Sequence, residues 1–189
     1  MATLIAPDPL VEELLEVEGK AEIVNGKIEE LPMTGKKPNQ AAGRIYASLL
    51  AFEGETGAGE AATDGAAFLC DLPHRKSFSP DAAFYVGPDV EGLGFFPEPP
   101  IFAVEVRSEN DYGLSAERAM AQKRADYFAA GTQVVWDVDL DGETEVIAKY
   151  IATDPHNPQF FGRGDVADAE PALAGWKMEV DKLFPVRKA

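Results

Sequence analysis

The sequence predicts a mixed α/β domain, a mixed β-sheet flanked by helices. Three observations predict it. Apolar residues make up 46% of the 189 residues, enough to fill a core. An apolar strand, a helix and a second apolar strand follow one another over residues 101–138. That order is a crossover between parallel strands, and such crossovers are almost always right-handed. Elsewhere strands are joined by tight turns, which makes antiparallel pairs. The length fits one domain over residues 1–189. A chain of this size buries about 70% of its unfolded surface without a metal or disulfide staple.

Asp8-Pro9 before LVEELLEVE reads as a helix start. Aspartate caps, proline suits the first helical position, and acids favour the first turn. AEIVNG and KIEELP read as short strands around Asn25-Gly26, a strong tight-turn signal. Pro38 and Asn39 open a second helix to about Glu53, with Ala42, Ile45, Tyr46 and Leu49 on its apolar face, and GETGAG ends it. Strands are expected over residues 66–72, 82–86 and 101–107. Between the last two, GPDVEGLGFFPEPP is too rich in Gly and Pro for a helix, and its Phe95-Phe96 pair must pack somewhere. A third helix is expected from Ser115 to Gly131, whose glycine suits a left-handed cap. QVVWDV and TEVIAKYI are two more strands, separated by the turn residues 139–143. The remainder, through Lys182, has no clear period.

Composition narrows the chemistry. Cys70 is the one cysteine, so no internal disulfide or cysteine-rich zinc site can form. With His74 and His156 the only histidines, a metal would need oxygen ligands, which points to magnesium, manganese or calcium. MATLIAPDPLVEELLEVEG lacks the basic start and long apolar run of a secretory signal. No apolar run reaches the roughly 18 residues that span a membrane. The cytoplasm is the expected location. The net charge is −16, from 17 Lys and Arg against 33 Asp and Glu. Such a charge serves solubility and repels DNA at long range, where affinity depends on neutralising phosphates.

Charged residues on apolar patterns stand out. In IFAVEVR, Ile101, Ala103, Glu105 and Arg107 share one face. A carboxylate in so apolar a strand is costly unless paired or metal-bound. Glu105 then pairs with Arg107, lies at a strand edge, or serves a site. On the third helix, Ala116, Ala119, Met120, Lys123, Tyr127 and Ala130 form one stripe, with Glu117, Arg118 and Arg124 opposite. Lys123 is the charge in that stripe. It either snorkels to solvent or crosses onto the sheet towards Glu105. Asp81, in SFSPDAAFYV, begins a strand after a proline, which is also ordinary turn chemistry. Together, two strand carboxylates and a helix lysine can serve phosphodiester hydrolysis. Two acids can hold a divalent ion, and a lysine beside it can orient or deprotonate water.

The ordered set AEIVNGKIEELP, SPDAAFYV, PPIFAVEVRSEND and AQKRADYFAAGTQVVWDVD, over residues 21–150, resembles the Uma-type restriction endonuclease family. That family lies within the PD-(D/E)xK nuclease superfamily. The resemblance implies a restriction-endonuclease-like fold, a divalent-metal site and a homodimer. It implies that Asp81 and Glu105 bind Mg²⁺ or Mn²⁺. The usual superfamily lysine lies two residues after the acid, where this chain has Arg107. In the Uma-type branch it moves to the helix in a K-x-x-x-Y pattern, matched by Lys123 and Tyr127. Glu22 matches the acid before the V-x-G turn. Two departures stand: KKPNQAAG lacks a histidine common there, and Asp139-Leu140 replaces the usual D-P.

The functional expectation is a metal-dependent endonuclease acting on DNA. Asp81, Glu105 and Lys123 are its catalytic residues, and Glu22, Arg107 and Tyr127 support them. His74-Arg75-Lys76 and Lys36-Lys37 are candidate phosphate contacts or solvated loops. The alternatives are an inactive nuclease-fold module that binds a protein partner, favoured by the acidic charge, and a phosphohydrolase of small substrates.

Overall fold

The computed structural model describes residues 8–185, apart from 90, 91, 143 and 145. The first seven residues of the N-terminal stretch read against a secretory signal, positions 90 and 91 of the 87–100 loop, position 143 of the following turn and position 145 of TEVIAKYI lie outside the described residues. The chain opens with α1 (Pro9–Leu15), capped by Asp8, whose side chain accepts from the Leu10 N–H. Strands β1 (Ala21–Val24) and β2 (Lys27–Glu30) form the expected hairpin. Asn25 and Gly26 both take positive φ there, 51° and 71°, as a primed turn requires. Helix α2 runs Lys36–Thr56, longer at both ends than expected. Pro38 falls in its first turn, where no N–H is needed. The helix carries on through GET to Gly57, whose left-handed backbone closes it.

Next come β3 (Glu60–Thr63), β4 (Phe68–Leu69), β5 (Ser77–Phe78), β6 (Ala82–Tyr85) and β7 (Phe102–Val106). The strand expected over 66–72 shrinks to β4, and β3 and β5 are additional. Helix α3 (Leu114–Ala130) leads to β8 (Val134–Val138), β9 (Ile147–Ile151) and β10 (Asp154–Phe161). The chain ends in β11 (Val166–Asp168), β12 (Lys177–Glu179) and a 3-10 turn, Val180–Leu183. Six strands form the central sheet in the order β10-β9-β8-β7-β6-β3. Only β7 and β8, joined through α3, pair in parallel; the other neighbours are antiparallel. This is the mixed sheet with flanking helices that the pattern predicts.

Alternation along the strands splits the sheet into two faces. On one, α2 buries Ala41, Ala42, Ile45 and Leu49 against Phe84, Phe102 and Val104, with Trp136 and Trp176 extending the core. On the other, Ala83, Tyr85, Ala103 and Val135 meet Tyr127, Phe68 and Phe78. Phe96 settles here, stacked 4.4 Å from Phe68, while Phe95 packs on a small cluster under α1 and β1. Asp81, Glu105 and Asp137 share the parity of this second face, so the fold delivers carboxylates from neighbouring strands to one side.

Candidate active site

Asp81 stands immediately before β6 and helps to fasten it to β7. Its N–H donates to Val104 O (2.9 Å), and its Oδ2 accepts from the Val106 N–H (2.7 Å). The other oxygen, Oδ1, meets Lys20 Nζ at 2.7 Å, and Lys20 also pairs with Asp64 at 2.7 Å. Burial works to lower the Lys20 pKa, but Asp81, Glu105 and Asp64 outweigh it and hold the ammonium charged.

Glu105 projects from β7 on the face of Ala103, as alternation requires. It does not pair with Arg107. Lys123 reaches across from α3 to Glu105 Oε1 at 2.8 Å and to Glu22 Oε1 at 2.9 Å. One turn further along, the Tyr127 hydroxyl donates to the same Glu105 oxygen at 2.7 Å. Spacing of four on a helix puts both groups over one carboxylate. Glu22 is buried on β1. It accepts from the Ser79 N–H at 2.8 Å and from Arg75 Nη1 at 2.6 Å.

Electrostatics distinguish the two acids. Burial pushes the Glu105 carboxyl up, and Asp81 and Glu22 add to this against Lys123 and Lys20. Burial also works to raise Glu22, but Lys123 and Arg75 prevail and hold it below the usual range. For Lys123, burial favours the neutral amine; Glu105 and Glu22 outweigh it, so the net shift is upward. Lys123 is therefore a firm cation in the free protein. Tyr127 is pushed well above 10 by burial and by the acids beside it.

Around these residues opens a cavity of about 310 Å³, lined by Lys20, Glu22, Asp81, Glu105, Lys123 and Tyr127 among others. Ala119 and Met120 line it as well, so the forward half of the α3 stripe is a wall of the cavity and not core. Arg107 turns the other way along the strand. Its Nε and Nη2 grip Asp137 of β8 at 2.8 and 2.9 Å, and Glu117 caps its outer edge. Arg124 joins Asp137 at 3.0 Å. Glu117 and Arg124, placed opposite the stripe by helical period, both reach back to the sheet.

The remaining candidates divide. Arg75 is buried, bridging Glu22 and Asp126, and is no surface phosphate contact. His74 Nε2 lies 2.8 Å from Asp126 Oδ1, and Lys76 pairs with exposed Asp71. Lys36 and Lys37 begin α2 and line a groove of about 710 Å³ together with Arg107 and Tyr112. Sequence reasoning missed Lys20, Asp64, Asp126 and Asp137. Asp137 carried a usable signal, since it sits in VVWDV as Glu105 sits in FAVEV.

A divalent ion fits the donor chemistry. Asp81 and Glu105 are hard oxygen donors facing one cavity, and their mutual repulsion helps to raise Glu105, a cost a cation would relieve. Lysine ammoniums now occupy cation positions on both carboxylates. Among the described residues no three acidic, histidine or cysteine side chains converge as ligands. Two carboxylates, with water and substrate oxygens completing the shell, is a usual magnesium arrangement.

The Uma2 family model, described as "Putative restriction endonuclease", matches residues 11–181. The chain belongs to this family. The match runs beyond the 21–150 resemblance and takes in β11 and β12, so the C-terminal strands are part of the Uma2 unit. Among solved structures, a "putative nuclease belonging to DUF820" from Anabaena variabilis is similar with a TM-score of 0.70 and 17% identity. The alignment covers 92% of this chain and 96% of that one. That likeness shows that the two chains share a fold. No curated protein matches the chain. Among the described residues no helix is long and apolar enough to cross a membrane.

Proposed function

We propose that this Uma2 chain is a divalent-metal-dependent endonuclease that hydrolyses DNA phosphodiester bonds. The observation that carries the reading is the convergence of Asp81, Glu105 and Lys123, from two neighbouring strands and the helix that follows, on one cavity. Asp81 and Glu105 would hold Mg²⁺ or Mn²⁺. The ion would neutralise phosphate charge and acidify a nearby water. Lys123 contributes as a cation. It orients the attacking water and stabilises developing phosphate charge instead of accepting a proton. Tyr127 fixes the rotamer of Glu105, and Glu22 and Arg75 hold Lys123 in place from behind. Lys36 and Lys37 supply positive charge along the adjoining groove. A homodimer acting in the cytoplasm belongs to the same proposal, and sedimentation of the purified chain tests the dimer.

The test is cleavage of single- and double-stranded DNA with Mg²⁺ or Mn²⁺. Chelation should abolish it, and Asp81→Asn and Lys123→Ala should each lower it by roughly 10²-fold or more. Folded wild-type protein that cuts no nucleic acid under these conditions refutes the reading.

One observation favours a non-catalytic, partner-binding module. Lys20 and Lys123 already neutralise both proposed metal ligands. Calorimetry with Mn²⁺ separates the two. An endonuclease shows a binding heat that Glu105→Ala removes, and a module sealed by its own lysines shows none.

A further inference from the structure

We propose that Arg107 and Arg124, backed by Asp137, bind the phosphate next to the one that reacts, and that Glu117 occupies this position in the free protein. The inference rests on the nuclease reading above.

The two carboxylates on Arg107 are not equivalent. Asp137 is buried in the sheet, 3% exposed at its side chain, and holds both arginines at 2.8–3.0 Å. Losing it would leave two guanidiniums without a buried partner, so it acts as a fixed backstop. Glu117 is 47% exposed, on the first turn of α3. Its side of the pair faces solvent and is open to screening and exchange, whereas the Asp137 side is closed off. Its carboxylate meets Nη1 and Nη2 of Arg107, the paired-donor edge that also recognises a phosphate. Glu117 thus marks an anion position that a stronger anion can take at little cost.

Place supports the assignment. Arg107 lies two residues beyond Glu105 with the same parity, just past the end of β7 and about 6.6 Å further along the chain. It lines both the Asp81–Glu105 cavity and the adjoining groove that Lys36 and Lys37 also line. Arg107 is common to both linings, so a polynucleotide running from the cavity into that groove would pass over it. Arg124, also on the cavity wall, is held 4.2 Å from the Tyr150 ring and at 3.0 Å by Asp137, so its donors are already aimed. Within a chain of net charge −16, this gives the strand a local cationic foothold that one displaceable acid masks.

The experiment is fluorescence anisotropy of a labelled DNA oligonucleotide in EDTA, where binding is read without turnover. Glu117→Gln should bind about threefold or more tightly than wild type, and Glu55→Gln, an exposed acid on α2, should not. The triple variant Arg107→Met, Arg124→Met, Asp137→Leu removes the buried carboxylate together with both of its guanidiniums and leaves no orphan charge. It should bind roughly tenfold more weakly, and its log-log salt slope should be shallower by about 0.7–0.9. In that background Glu117→Gln should have no effect. Equal tightening by Glu117→Gln and Glu55→Gln, or tightening that persists without Arg107, overturns the subsite. Wild type and Glu117→Gln both failing to bind overturns it too. Mn²⁺-dependent cleavage, measured in parallel, decides the nuclease reading separately. Cleavage with no Glu117 effect leaves that reading intact, and a Glu117 effect without cleavage leaves only the subsite.

Discussion

The two faces of the central sheet are built on opposite terms. On the α2 face, Leu49, Phe84, Phe102, Trp136 and Trp176 exclude water almost completely, and Phe102, Trp136 and Trp176 lie within 5.2–5.6 Å of one another. On the α3 face, a smaller aromatic floor around Tyr127 and Phe78 gives way to two sets of ion pairs that meet at the cavity, Asp64–Lys20–Asp81 and Glu105–Lys123–Glu22–Arg75–Asp126. Of the two helices, α2 buries four apolar residues and α3 buries only Asp126 and Tyr127. The same sheet therefore carries a scaffold on one side and a polar cavity on the other. The scaffold supplies the rigidity that a preformed constellation of charges requires.

The sharpest way to break this contrast is Arg75→Met. It strips a buried cation from Glu22 and Asp126 together, and a broken buried pair costs about 3–5 kcal/mol. Urea denaturation should show a loss of that size. A change below about 1 kcal/mol would mean that the network is dispensable to folding, and the polar face merely decorates the scaffold.

Helix truncations come next. Leu49→Ala in α2 should cost roughly 2–5 kcal/mol, as expected for a leucine in a packed core. Met120→Ala, in the α3 stripe but on the cavity wall, should cost less than about 1 kcal/mol. Equal costs for the two would show that α3 is packed as tightly as α2, contrary to its burial.

These helices also show how much the sequence revealed. The α2 stripe was legible because its period and its burial agree. The α3 stripe has the same period, but its first half faces a cavity, which period alone cannot distinguish from core. Glu105 and Lys123 were visible as charges on apolar patterns, and Asp81 needed the family pattern. The α1 cap, the Asn25-Gly26 turn and the Gly131 stop were legible because each is a local backbone demand. By contrast, β3 is EAAT and β5 is two residues long, too short for an alternation to register. DPHNPQFF forms β10, a sheet-edge strand where its prolines omit no needed ladder bond, and this conceals it from propensity. Lys20 and Asp64 sit at strand ends in ordinary polar surroundings. Only the long-range contacts of Lys20 with Asp64 and Asp81 give them meaning.

The smallest effect tests whether the dry face depends on charge at all. At its rim Lys149 Nζ meets Asp168 Oδ1 at 2.7 Å, beside the Trp136 indole that donates to Asp168 O. Burial works to raise the Asp168 carboxyl, but Lys149 and the Glu170 N–H outweigh it and hold it below its usual value. A carboxyl depressed in the folded state binds its proton more readily when unfolded. Its stabilisation is therefore complete above the unfolded value near 3.8 and fades as pH falls through the lower folded value. Asp168→Asn should accordingly be less stable than wild type at neutral pH, with the gap closing below about pH 4. Thermal melts across pH 2.5–7 would measure it. On the other face Asp126, held low by Arg75, Gln122 and His74 against burial, predicts the same direction for Asp126→Asn. Its loss should be the larger, because it also leaves the buried Arg75 with one partner fewer. A larger loss at Asp168 would reverse the assignment of the two faces and make the rim pair, not the buried network, the stronger electrostatic tie.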